Sequence, residues 1–197
     1  VNKIFLDPVT FVNFSVKYID HFTEKLTKVT GSKNILLTNS GTSALFLSLK
    51  TINIDSCEVL MPSMTFVATA NSVIDAGGIP NFIDSSSESL NACPISIEKY
   101  LKSIATYKNK LCLNKFTGRV IKALIVVHAY GEPANLTAIK RITKKYNIQV
   151  IEDGAGALGS HVNDKHIGLS SRFCILSFNG NKIVTTGMGG AILIKNK

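Results

Sequence analysis

Short runs of apolar and β-branched residues alternate along this chain with longer stretches of helical periodicity. The seven runs that predict strands are residues 35–38, 58–61, 81–83, 123–127, 149–151, 173–177 and 191–194. Between the first two, Leu45, Leu49 and Ile52 recur at helical spacing and share one face. Because strands that alternate with helices form βαβ units, we predict an α/β fold: a mostly parallel seven-stranded sheet with helices on both faces.

Length and composition limit the possible architectures and settings. The 197 residues are 45% hydrophobic, which is enough for one sizeable core, so we expect a single domain over residues 1–197. No apolar run reaches the ~18 residues of a membrane-spanning helix, and we expect neither a signal peptide nor a membrane partner. The four cysteines are widely spaced and form no CxxC pair of the kind that zinc sites use. A reduced, cytoplasmic setting without a metal site fits these features best.

The net charge of +9, from 22 basic and 13 acidic residues, makes the chain strongly basic. Basic chains bind nucleic acid, membrane surfaces or phosphorylated metabolites. Here the lysines are dispersed, for example along the polar face of segment 138–146, and no nucleic-acid-binding motif accompanies them. The charge therefore favours a solvated basic surface over a nucleic-acid site, and it remains compatible with an anionic small-molecule ligand.

Candidate ligand-binding residues follow the predicted strands, because ligands of parallel sheets bind beyond the carboxyl ends of the strands. After the first strand, Asn39 or Ser40 can cap a helix, and Gly41 lets backbone amides approach a ligand. Such a helix N-terminus suits phosphate, although the GxxxxGK[ST] spacing of a Walker loop is absent. A capped helix without a ligand is the alternative interpretation.

Two further candidates follow later strands. Phe66 comes after the second strand, where it either joins the core or offers a flat face to a planar ring. Glu152 and Asp153 are adjacent on an extended strand end, so their side chains point in opposite directions, one to the ligand and one into the fold. A partly buried Asp153 requires a partner such as a protonated ring nitrogen. Its alternative role is a helix N-cap.

Lys182 lies five residues beyond Ser177, the last residue of a predicted strand, and ahead of a glycine-rich run. By itself it would be interpreted as a surface lysine. A lysine enclosed among less polar groups, however, loses proton affinity and becomes an amine nucleophile that can form a Schiff base. A phosphate cradle, an aromatic plate, a carboxylate and an amine, each following a strand, are together the parts that hold pyridoxal phosphate.

Taken together, these stretches resemble the DegT/StrS-type sugar aminotransferases, which depend on pyridoxal phosphate and have the aspartate-aminotransferase fold. The segments that carry the resemblance are TNSGTSALFLSL (38–49), EVLMPSMTFVATANSVIDAGGIPNFID (58–84), VVHAYGEPANLTAIKRI (126–142), IEDGAGALGS (151–160) and SFNGNKIVTTGMGGAILI (177–194). The resemblance begins near Phe22 and leaves residues 1–21 as a poorly matched lead-in. The SFNGNK variant is similar to the branch that acts on nucleotide-linked keto sugars for legionaminic-type surface sugars.

The resemblance implies a role for each candidate residue. Lys182 would bind pyridoxal 5'-phosphate as a Schiff base and then act as general base and acid, while Asp153 would pair with the ring nitrogen. Phe66 would stack on the ring. The phosphate would be held by Gly41, Thr42 and Ser177. The implied substrates are a nucleotide-diphosphate keto sugar and an amino-acid donor, commonly glutamate, and the implied full-length assembly is a homodimer.

Besides its poorly matched lead-in, the chain departs from the family in two respects. Gly156 stands where members usually carry a larger polar residue near the cofactor, and members are considerably longer than this chain. We therefore expect an amino-terminal large domain without the carboxy-terminal small domain. The predicted function is transfer of an amino group to a nucleotide-linked sugar, for surface polysaccharide or glycan precursors. The alternatives are an inactive truncated remnant or split half of such an enzyme, and a basic anion- or nucleic-acid-binding module.

Overall fold

The computed structural model describes the backbone of residues 8–195 and the side chains of residues 16–195, so the first seven residues of the predicted lead-in lie outside it. The helices in this range are α1 (Pro8–Thr30), α2 (Gly41–Thr51), α3 (Val67–Asp75), α4 (Pro94–Ile104) and α5 (Leu136–Lys145). The strands are β1 (Ile35–Thr38), β2 (Glu58–Pro62), β3 (Ile79–Ile83), β4 (Ala105–Lys108), β5 (Leu111–Asn114), β6 (Ile121–Val127), β7 (Gln149–Asp153), β8 (His161–Val162), β9 (Lys165–His166), β10 (Phe173–Ser177) and β11 (Gly190–Ile194). None of the described helices combines the length and the apolar character that crossing a bilayer requires.

Seven of these strands form the central sheet, in the order β1-β11-β10-β7-β6-β2-β3. Strands β10, β7, β6, β2 and β3 pair in parallel, and β11 runs antiparallel to both of its neighbours. The predicted α/β fold with a mostly parallel seven-stranded sheet is confirmed, and each predicted strand lies within an observed one. Strand β7 runs two residues further than predicted and ends on Asp153.

The pleat of the strands divides the apolar side chains between two faces of the sheet. On β2, Val59 and Met61 join the cluster that includes Leu49 of α2 and Val73 of α3. Leu60, between them, belongs to the opposite cluster, which α4 and α5 cover. Helix α1 packs on the sheet through a third cluster that contains its residues 22 and 26 and parts of β10 and β11. Helices therefore cover both faces of the sheet, as predicted.

The polar, lysine-rich sequence of residues 103–118 predicts a helix end followed by an exposed loop, and the structure corrects this prediction. Helix α4 does end there, but β4 and β5 then form an antiparallel hairpin. Asn109 and Lys110, which join the two strands, both have positive φ (52° and 63°), as a tight two-residue hairpin turn requires. Asn114 is 5% exposed and donates to the buried Glu58 carboxylate (Nδ2 to Oε2, 2.9 Å). The polar composition therefore did not indicate this hairpin, which is joined to the central sheet by the hydrogen bond between Asn114 and Glu58.

The direction of the strands decides where the candidate residues meet. Strands β2, β6, β7 and β10 are parallel, so their carboxyl ends lie at one edge of the sheet. Strand β1 runs in the same direction, since both it and β10 are antiparallel to β11. Strand β11 starts at that same edge, at Gly190. Residues that follow five strands and precede a sixth thus converge at this edge.

Candidate active site

The N-terminus of α2 lies tightly against the end of β10. Ser40 caps the helix by accepting a hydrogen bond from the Ser43 amide (Oγ to N, 3.0 Å), as predicted for one of two positions. A Cβ on Gly41 would stand 2.9 Å from the Ser177 Cβ, and a Cβ on Gly190 would stand 2.4 Å from the Ser40 carbonyl. Both positions therefore require glycine. This close contact brings the Ser177 hydroxyl beside a helix N-terminus, where amide groups and the helix dipole favour an anion.

Phe66 and Lys182 face each other from two different loops. Phe66 directly precedes α3 and is 68% exposed, so it does not belong to the core. The Lys182 Nζ lies 5.7 Å from the centroid of the Phe66 ring, within the range of a cation–π contact. Lys182 is half-buried, and its amide donates to the Asn179 carbonyl (3.0 Å), which closes a turn after β10. The aromatic plate and the amine therefore border the same space.

Asp153 ends β7 with its carboxylate buried: the residue is 8% exposed. Thr69 of α3 donates a hydrogen bond to its Oδ2 (3.0 Å), and the Ala155 amide donates to its Oδ1 (3.1 Å). Thr65 in turn donates to Thr69 (2.8 Å). No α-helix starts at Asp153, so the alternative of an N-cap is wrong. Both donors are neutral, and among the described residues Asp153 has no salt bridge to offset its charge.

Glu152, the neighbour of Asp153, points into the fold, as the strand geometry predicted. Its carboxylate is completely buried and accepts hydrogen bonds from the amides of Gly168 (2.7 Å) and Ser171 (3.0 Å) and from the Ser170 hydroxyl (3.1 Å). Burial alone would raise the pKa of Glu152. The hydrogen bonds from His128 and Ser171 and the charges nearby outweigh burial and lower this pKa to about 2.

His128 connects this buried carboxylate to the edge of the sheet. Its Nδ1 accepts a hydrogen bond from the Ala134 amide (3.1 Å), so the proton of the neutral ring lies on Nε2, which faces Glu152 Oε2 at 3.2 Å. The His128 amide donates to the Asp153 carbonyl (3.0 Å). His128 therefore links the backbone of Asp153 to the buried Glu152 carboxylate.

All six residues predicted for the site line one cleft of about 750 Å³ at this edge of the sheet: Gly41, Thr42, Phe66, Asp153, Ser177 and Lys182. Their individual roles stay predictions. The cleft also contains Thr69, His128 and Tyr130, which sequence reasoning did not select. His128 directly follows β6, so the rule that led to Asp153 could have found it. Thr69 carries no such signal, since it lies on a helix and meets Asp153 only through the fold.

These residues fit pyridoxal phosphate by their chemistry. The buried Asp153 has only neutral donors, so a protonated ring nitrogen would supply the missing positive charge. The α2 N-terminus and the Ser177 hydroxyl offer donors to a phosphate, and the exposed Phe66 ring offers a stacking face. Lys182, which forms no salt bridge in the described part of the chain, offers an amine.

Comparison with known proteins agrees with this geometry. The profile of the DegT/DnrJ/EryC1/StrS aminotransferase family matches residues 11–197, a range that begins ahead of Phe22. The chain belongs to this family. EpsN of Bacillus subtilis (strain 168) is 36% identical to this DegT-family chain over 179 residues, which are 90% of the chain and 43% of EpsN. The GDP-perosamine synthase of Escherichia coli O157:H7 is 31% identical over 189 residues, 95% of the chain and 48% of the synthase.

A solved structure similar to this chain supports the same fold and cofactor. The crystal structure of NtdA from Bacillus subtilis with bound cofactor PMP superposes with a TM-score of 0.76 at 27% identity. The match covers 91% of this chain and 37% of NtdA. The family and this neighbour support pyridoxal phosphate as the cofactor of the site. The chain spans less than half the length of each of these three proteins.

Proposed function

We propose that this chain carries the cofactor-binding half of a pyridoxal-phosphate-dependent aminotransferase that transfers an amino group, from glutamate, to a keto group of a nucleotide-linked sugar. The observation that carries the proposal is the convergence of Asp153, Lys182 and the α2 N-terminus on one cleft. The name of the perosamine synthase describes a relative that makes an amino sugar, which supports the substrate class. The product would serve surface polysaccharide or glycan synthesis.

Each predicted site residue would have its own role around the bound cofactor. Bound pyridoxal phosphate would supply an electrophilic carbonyl and a ring that delocalises negative charge. Asp153 would keep the ring nitrogen protonated through its buried carboxylate, which Thr69 and the Ala155 amide hold in place. Phe66 would hold the ring flat from one side. Gly41, Thr42 and Ser177 would bind the phosphate at the α2 N-terminus.

Lys182 would perform both the covalent attachment and the proton transfer. Its Nζ would take a proton, as general base, from the carbon that bears the substrate's amino group, and would deliver it, as general acid, to complete the amino transfer. The centroid of the Phe66 ring lies 5.7 Å from this amine, so the ring would face it from one side. The two half-reactions, with glutamate and with the keto sugar, would use the same amine.

Turnover tests this proposal. The chain, loaded with pyridoxal phosphate, should convert glutamate to 2-oxoglutarate and a nucleotide-linked keto sugar to its amino sugar, both followed by mass spectrometry. The assay would be run on the chain alone and with the carboxy-terminal half of a family member supplied, since the relatives are about twice as long as the matched region. Lys182→Ala should abolish both products, and Lys33→Ala, at an exposed lysine, should not. Absence of both products under both conditions contradicts the proposal and favours an inactive remnant.

A homodimer is the assembly we propose for the full-length protein. Large apolar side chains that line the cleft remain exposed, among them Met64, Ile183 and Met188. Exposed apolar groups gathered at one rim are typical of protein–protein contacts. Sedimentation of the complete protein would test this: a monomer at micromolar concentration is the contradicting result.

A further inference from the structure

Tyr130 occupies an unusual position at the mouth of the cleft. Its backbone is left-handed (φ 52°, ψ 26°), and its side chain is 84% exposed. Among the described residues that line the cleft, it is the one non-glycine residue with a positive φ. Bulky residues avoid this conformation unless the surrounding structure imposes it, and such residues gather at binding sites.

The loop that presents Tyr130 is fixed on both sides. Asn91 accepts a hydrogen bond from the Ala129 amide (Oδ1 to N, 2.8 Å) and donates one to the Glu132 carbonyl (Nδ2 to O, 3.3 Å). The Ser160 hydroxyl donates to the Gly131 carbonyl (2.6 Å). The chain therefore holds Tyr130 in a strained backbone conformation although its ring is almost fully exposed to solvent. Packing inside the chain does not explain why three hydrogen bonds hold the loop in this conformation.

A second unexplained feature lies in the same part of the cleft. Three glycines line it: Gly41, Gly156 and Gly189. Gly41 is required by its contact with Ser177, and Gly189 by its φ of +134°. Gly156 has neither reason, because its φ lies outside the left-handed region and an added Cβ would meet no atom within 4 Å. The open space above Gly156 therefore has no function in the fold of this chain.

Tyr130 and Gly156 lie in adjoining loops, close to Asp153. A Cβ on Gly131, the residue after Tyr130, would stand 3.5 Å from the Gly156 carbonyl oxygen, so the two loops are in contact. On its other side Gly156 follows Ala155, whose amide donates to the Asp153 carboxylate. The corner between the Tyr130 ring and Gly156 thus leads from solvent to Asp153, the residue predicted to pair with the cofactor ring.

We propose that this corner binds the hexose ring of the acceptor substrate. An exposed aromatic ring offers its face to the apolar C–H face of a sugar, and a glycine leaves room for a ring carbon or its substituent. The acceptor's keto carbon must reach the amino group that the cofactor would carry beside Lys182, so the hexose, rather than the nucleoside beyond the diphosphate, enters deepest. The inference rests on the proposed function, whose substrate it places.

Two substitutions test the corner without disturbing the fold. Tyr130→Gly removes the ring and relieves the left-handed strain, so it should raise the melting temperature by about 2–4 °C. Gly156→Ala fills the open space and should leave the melting temperature unchanged. The matched controls lie outside the cleft: Leu90→Gly, where φ is 58°, and Gly180→Ala, where an added Cβ also meets nothing.

Calorimetry on the pyridoxal-phosphate-loaded chain measures the effect, with UDP-N-acetylglucosamine and GDP-mannose as non-reacting nucleotide hexoses and with UDP and GDP as sugar-free probes. Tyr130→Gly and Gly156→Ala should each weaken the binding of a nucleotide hexose about tenfold or more, equivalent to about 1.4 kcal/mol of binding free energy. They should leave UDP, GDP and cofactor loading within about twofold of the wild type, as should both controls with every probe. Tyr130→Phe, which keeps the ring, should bind like the wild type.

Several results would overturn the inference. The first two are that both variants bind the nucleotide hexoses as tightly as the wild type, or that their affinity for UDP and GDP falls as much as their affinity for the nucleotide hexoses. The other two are that cofactor loading weakens while hexose binding is unchanged, or that the wild type binds no nucleotide hexose. Failure of the proposed function is distinguishable from all of these. It would show as a wild-type chain that takes up no cofactor at Lys182, measured before any nucleotide is added.

Discussion

Replacement of Glu152 by glutamine tests the account of the buried network behind the cleft. The two carboxylate oxygens each accept two hydrogen bonds: Oε2 from His128 and Gly168, and Oε1 from Ser170 and Ser171. The amide of glutamine is almost the same size but accepts only through its oxygen. Whichever way it is oriented, its NH2 group faces two donors that lose their acceptor.

The expected cost follows from two independent estimates. A buried donor left without an acceptor costs about 1–3 kcal/mol, so two of them cost on the order of 2–6 kcal/mol. The pKa of Glu152 is lowered from 4.5 to about 2, and each unit corresponds to about 1.4 kcal/mol, which amounts to roughly 3 kcal/mol. We therefore expect Glu152→Gln to lower the free energy of unfolding by about 3 kcal/mol.

Urea unfolding and thermal melting measure this loss. At neutral pH the melting temperature should fall by about 6–12 °C for a chain of this length. Because the folded-state pKa of Glu152 is lowered, its carboxylate stabilises the fold fully above about pH 4.5, and this contribution is lost as the pH falls through about 2. The difference between wild type and variant should therefore shrink between pH 4.5 and 2.

The control is Glu88→Gln, at an exposed glutamate, which should change the free energy of unfolding by less than about 0.5 kcal/mol. A loss for Glu152→Gln as small as that of the control would refute the reasoning. A loss that is large but the same at pH 7 and pH 3 would refute it as well, because it would show that the charge of Glu152 contributes nothing.

Two further predictions concern the cleft itself. Thr69→Val removes the donor to Asp153 Oδ2 and should weaken pyridoxal-phosphate binding about 5–10-fold in an absorbance titration, since a net hydrogen bond contributes about 1–1.5 kcal/mol. Gly41→Ala forces a methyl group to 2.9 Å from the Ser177 Cβ, so it should lower the free energy of unfolding by about 1–3 kcal/mol and weaken binding of pyridoxal phosphate but not of pyridoxal.

Each of these predictions has a matched control outside the cleft. Thr143 is as buried as Thr69 and donates to a helix carbonyl, so Thr143→Val should leave cofactor affinity unchanged. Gly180→Ala should affect neither stability nor affinity, because an added Cβ meets no atom within 4 Å. Equal loss of affinity in Thr69→Val and Thr143→Val would contradict a role for Thr69 at Asp153. If Gly41→Ala lowered the affinity for pyridoxal as much as the affinity for pyridoxal phosphate, the result would contradict a phosphate site at Gly41.

Local sequence patterns were enough to predict the strands and the residues at their ends. Phe66 and Asp153 could be selected because each follows a buried apolar run, and parallel strands bring such positions to one edge. The opposite orientation of Glu152 and Asp153 follows from the two-residue period of a strand, and the structure confirms it.

The parts that could not be predicted depend on contacts between distant segments. Thr69 meets Asp153 across 84 positions of sequence, and Asn114 meets Glu58 across 56, so no local pattern reveals either pair. The hairpin of β4 and β5 was missed because its lysines and polar residues are typical of loops, whereas a neighbouring buried carboxylate holds it. The strain at Tyr130 likewise depends on its supports, which come from residues 91 and 160.

The most direct test of the central claim is to identify the lysine that holds the cofactor. The chain would be incubated with pyridoxal phosphate, reduced with borohydride, digested and mapped by mass spectrometry, with Lys182→Ala treated in parallel. The account predicts that the stoichiometric adduct lies on the peptide containing Lys182 and disappears in the variant. An adduct on another lysine in the wild type, an equal adduct in Lys182→Ala, or no adduct at all would contradict it.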